Sequence, residues 1–296
     1  MLIAQFSDIH LKPDGMLAYD VADTLTALKR TIDHINSLYP QPDVIIGTGD
    51  LADEGAPEAY ELLSCLLAQL KSPLYLLPGN HDHKIWLQNA FPDHRYLRQT
   101  VTENEYFYIC YAIDTYPIRL VGIDTATPGR HGGDLGPERL HWLENILSQE
   151  PHQPTVIFMH HPPFATAIGH MDKSGFEGRK DFEHLIQNHP QVERILCGHL
   201  HRPIFRCFGG TIASVCPGIG MQLKLDLRPE APSGFVMEPP AIMLHMSNSL
   251  WDEEPVLLTH ISLIEEKKGQ FGGFHPFFKV VNPELNSSEE KNGGRS

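Results

Sequence analysis

Aspartate and histidine side chains recur in five short blocks of this sequence, each placed just after an apolar run typical of a β-strand. The blocks are Asp8-Ile9-His10, Gly49-Asp50, Gly79-Asn80-His81-Asp82, His160-His161 and Gly198-His199-Leu200-His201. In an open α/β sheet, ligands bind beyond the carboxyl ends of the strands. The five blocks are therefore expected to converge on one crevice.

The residue types in these blocks are those that a hydrolytic centre with two metal ions requires. Two ions about 3.5–4 Å apart need a bridging carboxylate, and Asp50 suits that position because the preceding glycine permits a tight turn after a strand. Asp8 and His10 lie two residues apart, so they point to the same side of an extended segment and can share one ion. His199 and His201 have the same spacing after another apparent strand.

Two further side chains complete the candidate ligand set. Asn80 offers a neutral oxygen and His160 a further imidazole, and none of the candidate ligands is a thiolate. The set therefore favours two divalent or trivalent ions from among Mn, Fe, Co and Zn. Adjacent strand residues face opposite ways, so we interpret His161 as a structural neighbour of His160. We interpret Asp82 as a capping residue or as the partner of a ligand, because aspartate is common in such turns.

Strand and helix signals alternate through the first two thirds of the chain. Apolar residues recur at steps of three and four in the predicted helices, which cover residues 21–38, 58–70, about 137–147 and 181–187. The pattern predicts an α/β fold in which two β-sheets pack together with helices outside, a four-layer α/β/β/α sandwich with a C-terminal β-rich excursion. We assign residues 1–216 to the core, residues 217–283 to an excursion that supplies a substrate lid, subunit contacts and closing strands, and residues 284–296 to a disordered tail.

Composition and charge narrow the choice of function. The formal net charge of −14 argues against a nucleic-acid polymer as substrate, because tracking a phosphate backbone requires a basic surface. The five cysteines are odd in number and show no CxxC spacing, so we predict reduced thiols and a cytoplasmic location. No stretch approaches the roughly 18 consecutive apolar residues of a membrane span, and no signal peptide is recognisable, so we predict no membrane association.

As a set, the five blocks resemble the motif series of the calcineurin-like metallophosphoesterases. Within that superfamily they are most similar to the bacterial class III cyclic nucleotide phosphodiesterases and the related glycerophosphodiesterases, and the motifs span residues 6–201. The resemblance implies two metal sites that share Asp50, one completed by Asp8, His10 and His201 and the other by Asn80, His160 and His199. It also implies that His81 is not a ligand but faces the substrate phosphate.

One departure within the superfamily bears on the substrate. The phosphoprotein phosphatases carry an arginine in a GDxxDRG pattern, and this sequence has Glu54 at that position. An anion in place of a cation disfavours a dianionic monoester, so we expect the substrate to be a monoanionic diester. The implied reaction is in-line attack on phosphorus by a hydroxide that the ions generate, with catalytic roles for Asp50 and for His81, which would protonate the leaving alkoxide.

The leading hypothesis is therefore a metal-dependent phosphodiesterase of small diesters, above all 3′,5′-cyclic nucleotides such as cyclic AMP. The alternative enzyme is a glycerophosphodiesterase or a broad-specificity diesterase on the same fold. A third hypothesis is a metal-binding scaffold without activity that binds partners through the aromatic stretch Phe271–Phe278. The four phenylalanines of that stretch either pack on the protein's own core or form a subunit contact, and we predict a homo-oligomer.

Overall fold

Two β-sheets, one of five strands and one of seven, pack together at the centre of the protein. The computed structural model describes residues 1–13, 16–53, 55–247 and 257–264. The predictions about Glu54, the Phe271–Phe278 stretch and the tail at 284–296 concern residues outside this described part.

The five-stranded sheet holds the first three strands of the chain side by side and parallel. In spatial order its strands are β16 (Leu258–Leu263), β15 (Ala241–Met246), β1 (Leu2–Phe6), β2 (Val44–Thr48) and β3 (Leu74–Leu77). β15 runs antiparallel to both β1 and β16, so the chain returns to this sheet after residue 240. The parallel strands are connected by the helices α1 (Thr24–Ser37) and α2 (Pro57–Leu67).

The seven-stranded sheet has four parallel strands in its centre. In spatial order its strands are β11 (Ile204–Phe208), β12 (Thr211–Val215), β10 (Val192–Cys197), β8 (Thr155–Phe158), β6 (Arg119–Ile123), β5 (Tyr106–Ile113) and β4 (Thr100–Glu103). β5 and β6 pair antiparallel, as the sequence predicts for a hairpin. The strands β8 and β10 are preceded by the helices α4 (Pro137–Gln149) and α6 (Arg179–Gln187).

Successive side chains of the larger sheet point to opposite faces, and each face packs in a different hydrophobic core. In β8, Val156 and Phe158 belong to the same buried cluster as Phe6 of β1, whereas Ile157 belongs to the cluster that contains Phe182 of α6. Every residue of β1 and β2 is buried, because the second sheet covers one face and α1 and α2 cover the other. The order of layers is therefore α/β/β/α, which confirms the predicted fold class.

The sequence does not predict several short elements, which have too few residues to show a period. They are α3 (Lys84–Ala90), a 3₁₀ turn at Arg95–Arg98, α5 (Gly169–Asp172), and the strand pairs β7 (Gly133–Asp134) with β9 (Phe176–Glu177) and β13 (Gln222–Leu223) with β14 (Phe235–Val236). The helix predicted from residue 21 begins at Thr24 instead, because Ala18 and Ala22 pair in a tight turn and Asp23 caps the helix. The predicted domain boundary at residue 216 stays a prediction.

Two further observations concern the cysteines and the helices. All five cysteines lie in the described residues and none forms a disulfide. Within the same residues, no helix combines the length and the apolar character needed to cross a bilayer.

Candidate metal centre

All five predicted blocks lie at the carboxyl ends of strands. They follow β1, β2 and β3 of one sheet and β8 and β10 of the other. The backbone N–H of His199 donates to both carboxylate oxygens of Asp8, at 3.0 and 3.1 Å. Blocks from opposite sheets thus meet in one cleft, as the strand pattern predicts.

Close packing of the first four blocks depends on two glycines. The backbone N–H of Asp8 donates to the carbonyl of Gly49 at 3.0 Å. Gly49 has a φ of 94°, and a Cβ there would lie 2.4 Å from Nδ1 of His160. A Cβ on Gly79 would lie 2.2 Å from Oδ1 of Asp50. Both positions therefore require glycine, since any larger residue would displace a candidate ligand.

Asp82 ties the third block to the second. Its carboxylate accepts hydrogen bonds from the backbone N–H groups of Leu51 and Ala52, both at 3.0 Å, and of Gly79 at 2.8 Å. It also accepts one from the hydroxyl of Tyr60 at 2.8 Å. These contacts give Asp82 the capping role that we predict for it, and they hold two loops in register.

Asp50 lies between two clusters of side chains. Its Oδ2 is 3.6 Å from Nε2 of His10 and 3.3 Å from Nε2 of His160, while its Oδ1 accepts the backbone N–H of His81 at 2.9 Å. Burial opposes ionisation of this carboxyl, but the nearby histidines outweigh burial and hold its pKa well below the usual range. A charged carboxylate in this position can contact an ion on either side.

The first cluster consists of Asp8, His10 and His201. The Nε2 atoms of His10 and His201 are 3.1 Å apart, and Nε2 of His201 lies 3.5 Å from Oδ1 of Asp8. Nδ1 of His201 lies 3.0 Å from the carbonyl of Met221, which can only accept, so this ring presents a lone pair at Nε2. Burial lowers the pKa of His201 to about 4, which keeps the ring neutral.

The second cluster consists of Asn80, His160 and His199. Nε2 of His160 lies 3.1 Å from Oδ1 of Asn80, and the rings of His160 and His199 have centroids 5.1 Å apart. Nδ1 of His160 donates to the carbonyl of Thr48 at 2.7 Å, which again aims Nε2 at the cluster. Burial holds the pKa of His199 well below its usual value, so this imidazole is also neutral.

The geometry of both clusters fits bound metal ions. Ligand bonds of about 2.0–2.2 Å place neighbouring ligand atoms about 2.8–3.6 Å apart around one ion. The nitrogen and oxygen atoms of the two clusters are separated by 3.1–3.6 Å. Two imidazole nitrogens only 3.1 Å apart repel unless a cation or a proton lies between them. Donors of this kind, without thiolate, suit Mn, Fe, Co or Zn.

His81 lies beside the clusters and is held by Asp53. Its Nδ1 is 2.9 Å from Oδ1 of Asp53, and its ring stands edge-on to that of His10 with centroids 4.6 Å apart. Burial lowers the pKa of His81, but the hydrogen bond to Asp53 and the charges of Asp50 and Asp53 outweigh it and raise the pKa to about 9. A protonated imidazole next to the centre can give a proton to a leaving group.

Asp53 is the candidate functional residue that sequence reasoning missed. Its carboxylate lies 3.5 Å from Nδ1 of His10 and 2.9 Å from Nζ of Lys12, in addition to its bond with His81. Burial favours the neutral acid, but these three partners hold the pKa of Asp53 well below its usual value. Its position three residues after Asp50 was a usable signal, since the same loop must then present both carboxylates.

His161 makes different contacts from His160. Its Nδ1 lies 2.9 Å from Oγ1 of Thr125, and its ring centroid is 4.5 Å from that of His199. Its buried Nε2 has no hydrogen-bond partner among the described residues. Because His160 and not His161 contacts Asp50, the geometry favours His160 as the ligand.

Five of the predicted ligands have left-handed backbone conformations. Their φ angles are 55° at Asp8, 51° at His10, 50° at Asp50, 72° at His199 and 50° at His201. Residues other than glycine rarely adopt this region, which costs about 1–3 kcal/mol where it occurs. Such strain persists only where the surrounding structure determines it, and it is typical of functional sites.

A cavity of about 540 Å³ opens over Asp50, Asn80 and His81. His10, His199 and His201 also line it, and the rest of its lining comes from Tyr19, from residues 131–174 and from residues 221–235. A larger groove of about 680 Å³ between α2 and the edge strand β3 contains none of the predicted site residues. The cavity over Asp50 is therefore the candidate substrate site.

Comparison with known proteins identifies a family and relatives that this chain resembles. The family model described as calcineurin-like phosphoesterase matches residues 1–203. A probable glycerophosphodiester phosphodiesterase, GpdQ of Arcobacter nitrofigilis, is 38% identical over 279 residues, which cover 94% of this chain and 97% of that protein. A probable cyclic nucleotide phosphodiesterase of Rhodopseudomonas palustris is 30% identical over 278 residues, covering 89% of this chain and 97% of that protein.

A solved structure supports the assignment of the fold. The dimetal phosphatase from Danio rerio superimposes with a TM-score of 0.63 at 13% identity, covering 90% of this chain and 97% of the other. At that identity the likeness concerns the fold alone. The family match over most of the chain, together with a relative of nearly equal length, decides the classification: this chain belongs to the calcineurin-like phosphoesterase family.

Proposed function

We propose that this protein is a metal-dependent hydrolase of small phosphodiesters, with 3′,5′-cyclic nucleotides and glycerophosphodiesters as its candidate substrates. The observation that carries the proposal is the position of Asp50, whose Oδ2 lies 3.6 Å from His10 and 3.3 Å from His160. A carboxylate between two clusters of nitrogen and oxygen ligands is the arrangement that a pair of ions requires. The two relatives described above are named for these two classes of diester.

The ligand assignment follows from the two clusters. We assign one ion to Asp8, His10, Asp50 and His201. We assign the other to Asp50, Asn80, His160 and His199. When bound, the two ions offset the negative charge on the phosphoryl oxygens and make a nucleophile available at neutral pH. Mn, Fe, Co and Zn all suit the donors.

His81 is assigned the role of general acid. The bond from Nδ1 to Asp53 fixes the orientation of the ring and leaves Nε2 to face the cavity. Burial lowers the pKa of His81, but the hydrogen bond to Asp53 raises it and so favours the protonated ring. Nε2–H can then donate its proton to the leaving alkoxide, which is a poor leaving group without protonation.

The charge and the site favour small substrates over other partners. A net charge of −14 disfavours a nucleic-acid polymer, whereas the cavity of about 540 Å³ suits a nucleotide or a glycerophosphodiester. An inactive scaffold has no support here, because every predicted ligand position carries a residue able to bind metal. Cytoplasmic location, the absence of a membrane partner and self-association stay predictions.

A substrate panel tests the proposal. The protein is reconstituted separately with Mn, Fe, Co and Zn, and hydrolysis is measured with cyclic AMP, glycerophosphoethanolamine and bis(p-nitrophenyl) phosphate. We expect turnover of at least one natural diester with at least one metal, and its loss when the metal is removed by a chelator. Turnover of no diester with any of the four metals would refute the proposed activity.

A further inference from the structure

Two aromatic rings border the cavity next to the candidate metal centre. The rings of Tyr19 and Phe235 have centroids 5.6 Å apart and are tilted by 44°. The ring of Tyr19 also lies 6.3 Å from that of His10. Tyr19 precedes α1 and Phe235 belongs to β14, so two distant segments of the chain bring these rings together over one site.

Tyr19 lies in a tight turn with a strained backbone. Tyr19 and Asp20 have φ angles of 50° and 59°, a conformation that a bulky residue rarely adopts. The turn is held by reciprocal backbone hydrogen bonds between Ala18 and Ala22, both 2.9 Å long. Even so, the side chain of Tyr19 stays 49% exposed. The fold therefore holds a large aromatic ring at the cavity without burying it.

The residues next to Phe235 are apolar, and a hydrogen bond at Met221 connects them to the candidate metal centre. Phe235 pairs with Leu223 in the β13–β14 ladder, and Leu223 and Met221 line the same cavity. The carbonyl of Met221 accepts the hydrogen bond from His201 described above, at 3.0 Å. A group stacked on this wall would thus be held at a fixed distance from the reacting phosphorus.

The charges around the cavity restrict what this wall can bind. Of the described residues that line the cavity, Asp50 is the only one with a carboxylate, and it belongs to the metal centre. The faces of two aromatic rings would attract an ammonium head group too, but among the described lining residues that group would find no carboxylate outside the metal centre. A flat, neutral ring would stack on the two aromatic rings. Ser233 lines the same cavity and offers a hydroxyl to the polar edge of such a ring.

We propose that Tyr19 and Phe235 form a stacking wall for a nucleobase and so make the enzyme selective for nucleotide diesters. This inference rests on the proposed phosphodiesterase function and names its substrate class. Base stacking on an aromatic side chain is sequence-tolerant, so the wall accepts any base. Loss of one ring is expected to weaken nucleotide binding about 10-fold, which corresponds to about 1.4 kcal/mol.

Kinetics with matched substrates test the wall. In Tyr19→Ala, kcat/KM for cyclic AMP is expected to fall about 10-fold through KM, whereas kcat/KM for glycerophosphoethanolamine stays within about twofold. Tyr19→Phe keeps the ring and should restore cyclic AMP hydrolysis, and Phe235→Leu should resemble Tyr19→Ala. The control is Tyr106→Ala, which removes a tyrosine of similar exposure (44%) outside the lining of the cavity. Equal losses on both substrates, or no loss on cyclic AMP, would overturn the proposal.

A binding measurement separates this inference from the proposed activity. Calorimetry on the metal-loaded protein compares 5′-AMP with ribose 5-phosphate, which lacks the base. Tyr19→Ala is expected to weaken 5′-AMP about 10-fold and to leave ribose 5-phosphate unchanged. That result without any diester turnover would sustain the wall and refute the proposed activity. Hydrolysis of glycerophosphoethanolamine, with equal binding of the two ligands by wild type, would sustain the activity and overturn the wall.

Discussion

Replacing Asp53 with asparagine tests how the charge of His81 is controlled. The substitution keeps the shape of the side chain and removes a carboxylate that lies 2.9 Å from Nδ1 of His81. With Asp53 present, the pKa of His81 is raised to about 9. A general acid is active while it is protonated, so activity falls as pH rises through that pKa. Removing Asp53 therefore moves the alkaline limb of the pH profile to lower pH.

The size of the shift follows from the strength of the lost bond. A hydrogen bond to a charged group contributes about 1.5–3 kcal/mol, and one pKa unit corresponds to about 1.4 kcal/mol, so the pKa of His81 should fall by about 1–2 units. We expect the alkaline limb of the kcat/KM profile to lie about 1–2 pH units lower than in the wild type, beyond any uniform loss that is already present at pH 6.

The assay is a pH profile of kcat/KM between pH 5.5 and pH 9.5 on cyclic AMP, repeated on bis(p-nitrophenyl) phosphate. Nitrophenolate needs little protonation, so the shift should be visible chiefly with cyclic AMP. Bound cations lower the pKa of His81 in both proteins, and the comparison depends only on the difference between the two limbs. Metal content is measured on the same samples.

Two variants serve as controls for this experiment. Lys12→Met removes the cation 2.9 Å from Asp53, so it should move the limb in the opposite direction, to higher pH. Asp181→Asn removes an exposed carboxylate in the first turn of α6 and should leave the profile unchanged. An unchanged limb in Asp53→Asn would refute the reasoning. Loss of an ion in that variant would instead show that Asp53 orients the metal ligand His10.

Four further predictions concern the assigned ligands and the substrate. Asp50→Asn should lower the occupancy of both metals and remove nearly all activity, since each ion loses a charged ligand; two full equivalents by metal analysis with near-normal turnover would contradict the assignment. His160→Ala should weaken one of the two metal sites, whereas His161→Ala should keep both metals, and the reverse pattern would exchange their roles. His81→Ala should retain both metals and lose about 10²–10⁴-fold in turnover, with a larger loss on cyclic AMP than on a nitrophenyl diester; loss of a metal would make it a ligand. Finally, bis(p-nitrophenyl) phosphate should be hydrolysed much faster than p-nitrophenyl phosphate, and a monoester preference would discredit the inference from Glu54.

The candidate ligands could be predicted because their residue types and spacings are visible in short segments of the sequence. Each block follows an apolar run, and the carboxyl ends of neighbouring parallel strands meet at one edge of a sheet. Spacing predicted that Asp8 and His10 share one ion and that His199 and His201 reach the same cleft. The predicted extended backbone is wrong, since all four residues have positive φ angles, and His199 and His201 lie in different clusters. The predicted fold class depended on the same alternation of strands and helices, which is strong in the first two thirds of the chain.

What could not be predicted depends on contacts between distant loops. The bond between Asp53 and His81 joins two loops 28 residues apart, and no periodicity encodes the register of one loop against another. The ring pair of Tyr19 and Phe235 is even more difficult to predict. Phe235 lies in a strand of only two residues, and Tyr19 lies in a turn with a strained backbone. Tertiary packing, and not local propensity, sets such features.

The left-handed backbone at five ligand positions has a consequence for how this protein can evolve. Glycine adopts such a conformation without the cost of about 1–2 kcal/mol that other residues incur at each position. Replacing one of these ligands with glycine would therefore relieve backbone strain, although at Asp8 and Asp50 it would also remove the acceptor of a backbone hydrogen bond. At His10, His199 and His201 the side chain is thus retained against the preference of the backbone, which is expected where a residue is selected for its chemistry.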